Sequence, residues 1–125
     1  MGTFEVTIEV GDPFGQRWEP ITTLVDTGST FTWIPGDVLR RLGVEPQTRW
    51  EFETADERII SRDVAETWVR YDGASHHTMI VFADDGAVPL LGAYTLEGFL
   101  LAADPVNRRL VPVHALAKRG SGYCA

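Results

Sequence analysis

From Phe4 to Val10 the chain alternates apolar and polar residues, with Phe4, Val6, Ile8 and Val10 on one side and Glu5, Thr7 and Glu9 on the other. A period of two makes a strand with one buried face. Short segments of strand character recur along the chain, cut by Gly, Pro and Asp turns. They are expected at residues 18–25, 31–34, 49–54, 58–61, 65–71, 78–83 and 88–92, with a last hairpin of 101–103 and 109–113 around Asp104-Pro105-Val106-Asn107. Two helical patterns interrupt them. Residues 37–43 offer Asp37 as N-cap and Gly43 as stop, and residues 95–100 offer Thr95 as N-cap. The pattern predicts about eight short strands and two short helices. Nothing repeats at a fixed period and no linker is visible in 125 residues. The expectation is one mainly-β, closed or barrel-like domain over residues 1–116, with a polar, Gly-rich and loose tail at 117–125.

Composition narrows the function. The net charge is −7 and no run of Lys or Arg forms a basic face, so nucleic acid is not an expected partner. One cysteine, Cys124, allows no intramolecular disulfide, which fits a reducing cytoplasm. No basic-then-apolar leader opens the sequence and no apolar run approaches a membrane span, so a cytoplasmic location without membrane contact is expected. His76 and His77 would point to opposite faces of a strand, and only His114 remains, so no metal is expected. Val64, Val69 and Phe82 are expected in the core, as are most of the four tryptophans. Trp33 and Trp50 stand nearest the chemistry described next.

That chemistry begins at Leu24-Val25-Asp26-Thr27-Gly28-Ser29-Thr30. A carboxylate follows directly on an apolar strand, where an unpaired charge costs several kcal/mol and is retained mostly for function. Thr27 offers a hydroxyl to backbone, Gly28 permits a tight turn and the close approach of another backbone, and Ser29 can reach the outer carboxylate oxygen. Alone, Asp-Thr-Gly is also a common turn. A second element, Pro89-Leu90-Leu91-Gly92 followed by a short helix, gives the triplet its context.

The two motifs in this order resemble the retropepsin family, the retroviral-type aspartic proteases, and especially its bacterial members, over about residues 4–113. The resemblance implies that Asp26, Thr27 and Gly28 are the catalytic loop. Asp26 is the acid–base carboxylate, Thr27 locks two loops together across a dimer, and Gly28 faces the substrate backbone. Ser29 supports Asp26. The hairpin at 50–60 stands where the family carries its flap. Thr54, Ala55 and Asp56 at its tip, with Ser29 and Leu91, are the implied substrate contacts. Asp72-Gly73 and Asp85-Gly86 lack the central hydroxyl, so the chain holds one triplet and a homodimer is required. The implied activity is that of an aspartic endopeptidase on peptide or protein substrates, with water activated between two Asp26 carboxylates and no metal or organic cofactor. The alternative is a catalytically weak or inactive dimer of this fold that binds peptides. The chain departs from the family pattern in four places. Thr30 and Ala93 stand where an acidic residue and its Arg partner are common, Thr23 where an apolar residue is usual, and the tip at 54–58 has no glycine.

Overall fold

The computed structural model describes residues 3–114, so the tail expected at 117–125 lies outside the described residues. In chain order the elements are β1 (Glu5–Gly11), β2 (Trp18–Val25), β3 (Thr32–Pro35), α1 (Gly36–Arg41), β4 (Thr48–Glu53), β5 (Ile59–Tyr71), β6 (Ala74–Ala83), β7 (Leu90–Leu91), α2 (Ala93–Gly98), β8 (Leu101–Asp104) and β9 (Arg109–Pro112). Seven strands form one sheet in the order β1-β2-β7-β3-β6-β5-β4. An added pairing of β1 with β5, through Glu9↔Arg70 and Val10↔Val69, curls that sheet shut. The result is the expected mainly-β barrel, with β4 left outside the closure. The hairpin of β8 and β9 forms a separate two-stranded sheet.

The alternation in β1 is carried into the core. Phe4, Ile8 and Val10 are buried, Val6 is half-buried, and Glu5 and Thr7 are exposed. Ile34, Leu39, Val69, Ile80 and Leu91 pack with them, and the expected Val64, Val69 and Phe82 are buried. Thr23 is fully buried because its hydroxyl donates to the Val6 carbonyl at 2.7 Å. A polar side chain so satisfied loses little by burial. Asp72-Gly73 makes the tight turn between β5 and β6, both residues at positive φ (51° and 84°), the geometry a two-residue hairpin favours.

The crossing at β7 matters most for function. Leu90-Leu91 pairs in parallel with the end of β2 (Leu24↔Leu90, Val25↔Leu91) and antiparallel with β3 (Trp33↔Leu90). It threads between two strands that are near neighbours in sequence, and the loop joining those strands carries Asp26.

Several local expectations are corrected. The strands expected at 58–61 and 65–71 are one strand, β5. It pairs with β4 up to Val64 and with β6 from Val64 onward. Ser61, Arg62 and Asp63 lapse in hydrophobicity where the hairpin leaves the barrel, but the ladder to β4 continues through them. β6 begins at Ala74, so exposed Ser75, His76 and His77 are paired strand residues. His77 meets Trp68 (centroids 4.1 Å) and His76 meets Phe99 (4.7 Å). Asp37 does not cap α1. The cap position is Pro35, and the Asp85 carboxylate accepts the Asp37 N–H at 3.0 Å and an Arg40 N–H at 2.9 Å. Thr95 does not cap α2 either, since that helix starts two residues earlier with Gly92 at its cap position. Among the described residues no helix is long and apolar enough to cross a membrane.

Candidate active site

Asp26 stands at the end of β2, half-buried. Its backbone N–H donates to the Leu91 carbonyl at 3.0 Å, which fastens the start of the loop to the threaded strand. The Ser29 N–H donates to the Asp26 carbonyl at 3.0 Å and closes the turn, and the Gly28 N–H donates to Asp26 Oδ1 at 3.1 Å. A charge-assisted bond of this kind orients a carboxylate without consuming its second oxygen. Thr27 and Gly28 are exposed beside it.

Ser29 does not act as the sequence suggests. Its hydroxyl donates to the Phe31 carbonyl at 2.8 Å rather than to the Asp26 carboxylate. Short hydroxyl side chains commonly close such local turns, so Ser29 shapes the loop instead of touching the acid.

Two carbonyls of this loop cap α2. The Ala93 N–H donates to Ser29 O at 2.9 Å and the Tyr94 N–H to Thr30 O at 2.8 Å. The first amides of a helix need partners, and the loop supplies them. Thr95 is therefore free for the interior, where its Oγ1 lies 2.6 Å from Thr32 Oγ1 and 3.0 Å from Thr78 Oγ1. Thr32 Oγ1 also accepts the Gly92 N–H at 3.0 Å. At Gly92 itself a Cβ would lie 2.3 Å from the Phe31 carbonyl oxygen and 2.8 Å from that of Ser29, so only glycine fits. The departures at Thr30 and Ala93 are thus bridged locally by backbone hydrogen bonds from the start of α2.

A cleft of about 440 Å³ opens over Asp26. The loop residues Gly28, Ser29 and Thr30 border it, with Phe31, Trp33 and Leu90 along one wall and the β4–β5 hairpin, from Phe52 to Ala55, along the other. Of the residues assigned to substrate contact, Ser29, Thr54 and Ala55 border this cleft. Leu91 does not. It is buried in the core at 2% exposure, and its neighbour Leu90 faces the cleft, as the pleat of a strand requires. Asp56 lies beyond the lining, at the hairpin tip. There Thr54 Oγ1 donates to its carboxylate, Arg58 Nε bonds it at 3.0 Å, and the Thr54 hydroxyl accepts the Arg58 N–H at 3.1 Å. The Thr54 hydrogen bond, then that of Arg58, holds the Asp56 carboxyl below the usual carboxylate range. Glu57 occupies the left-handed region (φ 66°) where glycine is the usual residue.

The sequence singled out Trp33 and Trp50 beside the site but not the ring contacts that join them to Phe31, Phe52 and Tyr94, and, against expectation, none of the four tryptophans is fully buried. Trp33 and Phe52 are in contact (centroids 5.1 Å), Phe31 meets Trp50 (5.2 Å) and Tyr94 (5.7 Å), and Trp50 lies beside Phe52 (6.3 Å). Two pairs at period two, Phe31/Trp33 and Trp50/Phe52, were the available signal. A second cavity of about 510 Å³ lies on the Thr27 side of the loop, against Leu96, Leu101 and Ala103, and Asp26 does not line it. Among the described residues no group of His, Cys, Asp and Glu is placed to hold a metal ion.

The comparisons with known proteins agree with this geometry. No curated protein matches the sequence. Among solved structures, the chain is similar to the solution structure of the simian foamy virus (mac) protease. The two are 16% identical, the match covers 76% of this chain and 93% of that one, and the TM-score is 0.54. At that identity the likeness speaks for the fold, which is that of the retropepsin-like proteases. The sequence model of the aspartyl protease family matches residues 6–95, a span that holds both the Asp26 loop and the strand threaded beside it, and the chain therefore belongs to that family.

Proposed function

We propose that this chain is an aspartic endopeptidase that works as a homodimer, its domain spanning residues 1–116. The observation that carries the reading is the placement of Asp26: a half-buried carboxylate oriented by the Gly28 amide, at the floor of a cleft walled by the β4–β5 hairpin. Aspartic protease chemistry needs two carboxylates sharing one proton, because like charges in contact cannot both ionise; these proteases are the standard example of that rule. One triplet per chain supplies one carboxylate, so the second is Asp26 of another copy brought in by a two-fold axis. The ionised member accepts a proton from water, the water oxygen attacks the peptide carbonyl carbon, and the protonated member donates to the carbonyl oxygen. Collapse of the tetrahedral intermediate breaks the C–N bond, with the proton delivered to the departing amine. No cofactor enters this scheme.

In this reading Thr27, exposed beside Asp26, meets its copy across the axis, and Gly28 lies against the substrate backbone. The β4–β5 hairpin acts as the flap. Its tip, closed by Thr54, Asp56 and Arg58 rather than opened by glycine, makes it a stiff one. An extended peptide would lie between flap and loop, Ser29, Thr54 and Ala55 bordering its path.

Digestion of a broad peptide library near pH 5 tests the reading. Wild type should cleave, and Asp26→Asn and a statine-type inhibitor should each abolish cleavage. Acid–base groups are typically worth about 10² to 10⁴ in rate, so the loss should be unmistakable. Absence of cleavage by protein shown to be dimeric, with peptide still bound, would leave a peptide-binding module instead.

A further inference from the structure

Five of the chain's aromatic side chains, Phe31, Trp33, Trp50, Phe52 and Tyr94, form one contact cluster beside the cleft; none of them is fully buried, and Phe31, Trp33 and Phe52 line the cleft itself. Core packing does not account for that placement. On β3, Thr32 and Ile34 are buried, which leaves half-buried Trp33 on the outward face, with Phe31 just before the strand. On β4, Trp50 and Phe52 are half-buried between exposed Glu51 and Glu53. The outward face of β3 and the inner face of β4 therefore meet ring against ring. The contact of Trp33 with Phe52 lies at the edge of the cleft, since both residues and Leu90 line it.

We propose that Trp33 and Phe52 set the side-chain specificity of this cleft, and that they select a short aliphatic residue over an aromatic one at the substrate position resting on them. The inference rests on the peptide-cleaving role of the cleft and names its substrate class. The two rings lie 5.1 Å apart, already at aromatic contact distance. A third ring cannot enter between them without prising β4 from β3. The subsite is therefore a shallow apolar floor with Leu90 at its edge. A Val or Ala side chain fits such a floor, whereas a Phe or Trp side chain would stand up against the hairpin. Pocket size of this kind discriminates one methylene by about 10- to 200-fold.

The test uses labelled peptides in which one peptide bond is reduced to an amine, with Ala, Val, Leu, Phe or Trp scanned through each position flanking that bond. Binding is read by fluorescence anisotropy, so the result does not depend on catalysis. The wild-type protein should favour Ala or Val over Phe and Trp at one position by at least about tenfold. Trp33→Ala and Phe52→Ala open the same floor from opposite sides, and each should reverse that order. Two variants on separate strands guard against misfolding of either. Wild type binding Phe as well as Val at every position, an unchanged order in both variants, or no binding of any member would each overturn the proposal. The corresponding all-amide peptides, incubated in parallel, report separately on hydrolysis. Binding in the expected order without cleavage would sink the protease reading and leave the specificity floor standing.

Discussion

The Asp26 amide and the Leu91 carbonyl are joined by a 3.0 Å hydrogen bond, so the residue with the candidate catalytic carboxylate is anchored by the strand that threads between β2 and β3. The neighbouring Gly92 holds that strand close. A methyl group there would collide with two backbone carbonyls of the loop, Phe31 O and Ser29 O, and neither can rotate away as a flexible side chain could. Gly92→Ala should therefore destabilise the protein by about 1–3 kcal/mol or more, and peptide cleavage should fall further than the loss of folded protein explains. A melting temperature within a degree of wild type would show that the crossing is looser than these distances require.

The threonines behind the loop form a second point of control. Thr32, Thr78 and Thr95 are buried and share hydroxyl contacts, and Thr32 also takes the Gly92 N–H. Thr95→Val keeps the shape but deprives Thr78 of its hydroxyl partner. Leaving a buried hydroxyl unsatisfied costs about 1–3 kcal/mol, readable in urea denaturation. Replacing Thr78 with Val as well should recover part of that loss, because the orphaned group goes with it. A double variant less stable than Thr95→Val alone would contradict a hydroxyl network.

Acid affects the hairpin tip in a definite direction. Thr54 and Arg58 depress the Asp56 carboxyl below its ordinary value. A depressed carboxylate stabilises the tip fully above the unfolded-state pKa, about 3.9 for Asp, and the benefit is lost as pH falls through the lower folded value. The tip should stay closed near pH 5, where cleavage is to be assayed. Amide hydrogen exchange at Glu57 and Arg58 should speed up in Asp56→Asn at pH 5, and the difference from wild type should shrink as pH falls through the lowered Asp56 value. Equal exchange in the two proteins at pH 5 would remove Asp56 from the account of tip stiffness.

The β pattern and the order of the two motifs were legible because both are local. Alternation in β1, the apolar run before Asp26 and the Leu-Leu-Gly segment declare themselves within a few residues. What stayed hidden depends on partners distant in sequence. Asp37 and Thr95 have the right chemistry for helix caps, yet Asp85 and the loop carbonyls of Ser29 and Thr30 fill those roles. Ser61, Arg62 and Asp63 look like a break, but β4 supplies their ladder. Leu90 and Leu91 are identical as letters, and only the register with β2 and β3 decides which lines the cleft. Trp33 and Trp50 could be singled out in the sequence, but the contacts of Trp33 with Phe52 and of Phe31 with Trp50 could not, because they join β4 to a segment on the far side of α1.

The dimer requirement makes a prediction that no single-chain enzyme shares. If each active site draws Asp26 from two copies, an Asp26→Asn chain poisons any wild-type chain it pairs with. Equal amounts of the two proteins, mixed and allowed to exchange, leave about a quarter of the pairs fully wild type by random two-fold pairing. Peptide cleavage per total protein should fall to that fraction of the wild-type value. Chains that act alone would retain about half, since the variant would merely dilute them. Thr27→Ala adds an independent arm: a hydroxyl that locks two loops across the axis should, when removed, raise the protein concentration needed for half-maximal specific activity. Activity at half in the mixture, with specific activity constant across dilution, would refute the shared site even if Asp26 proved essential.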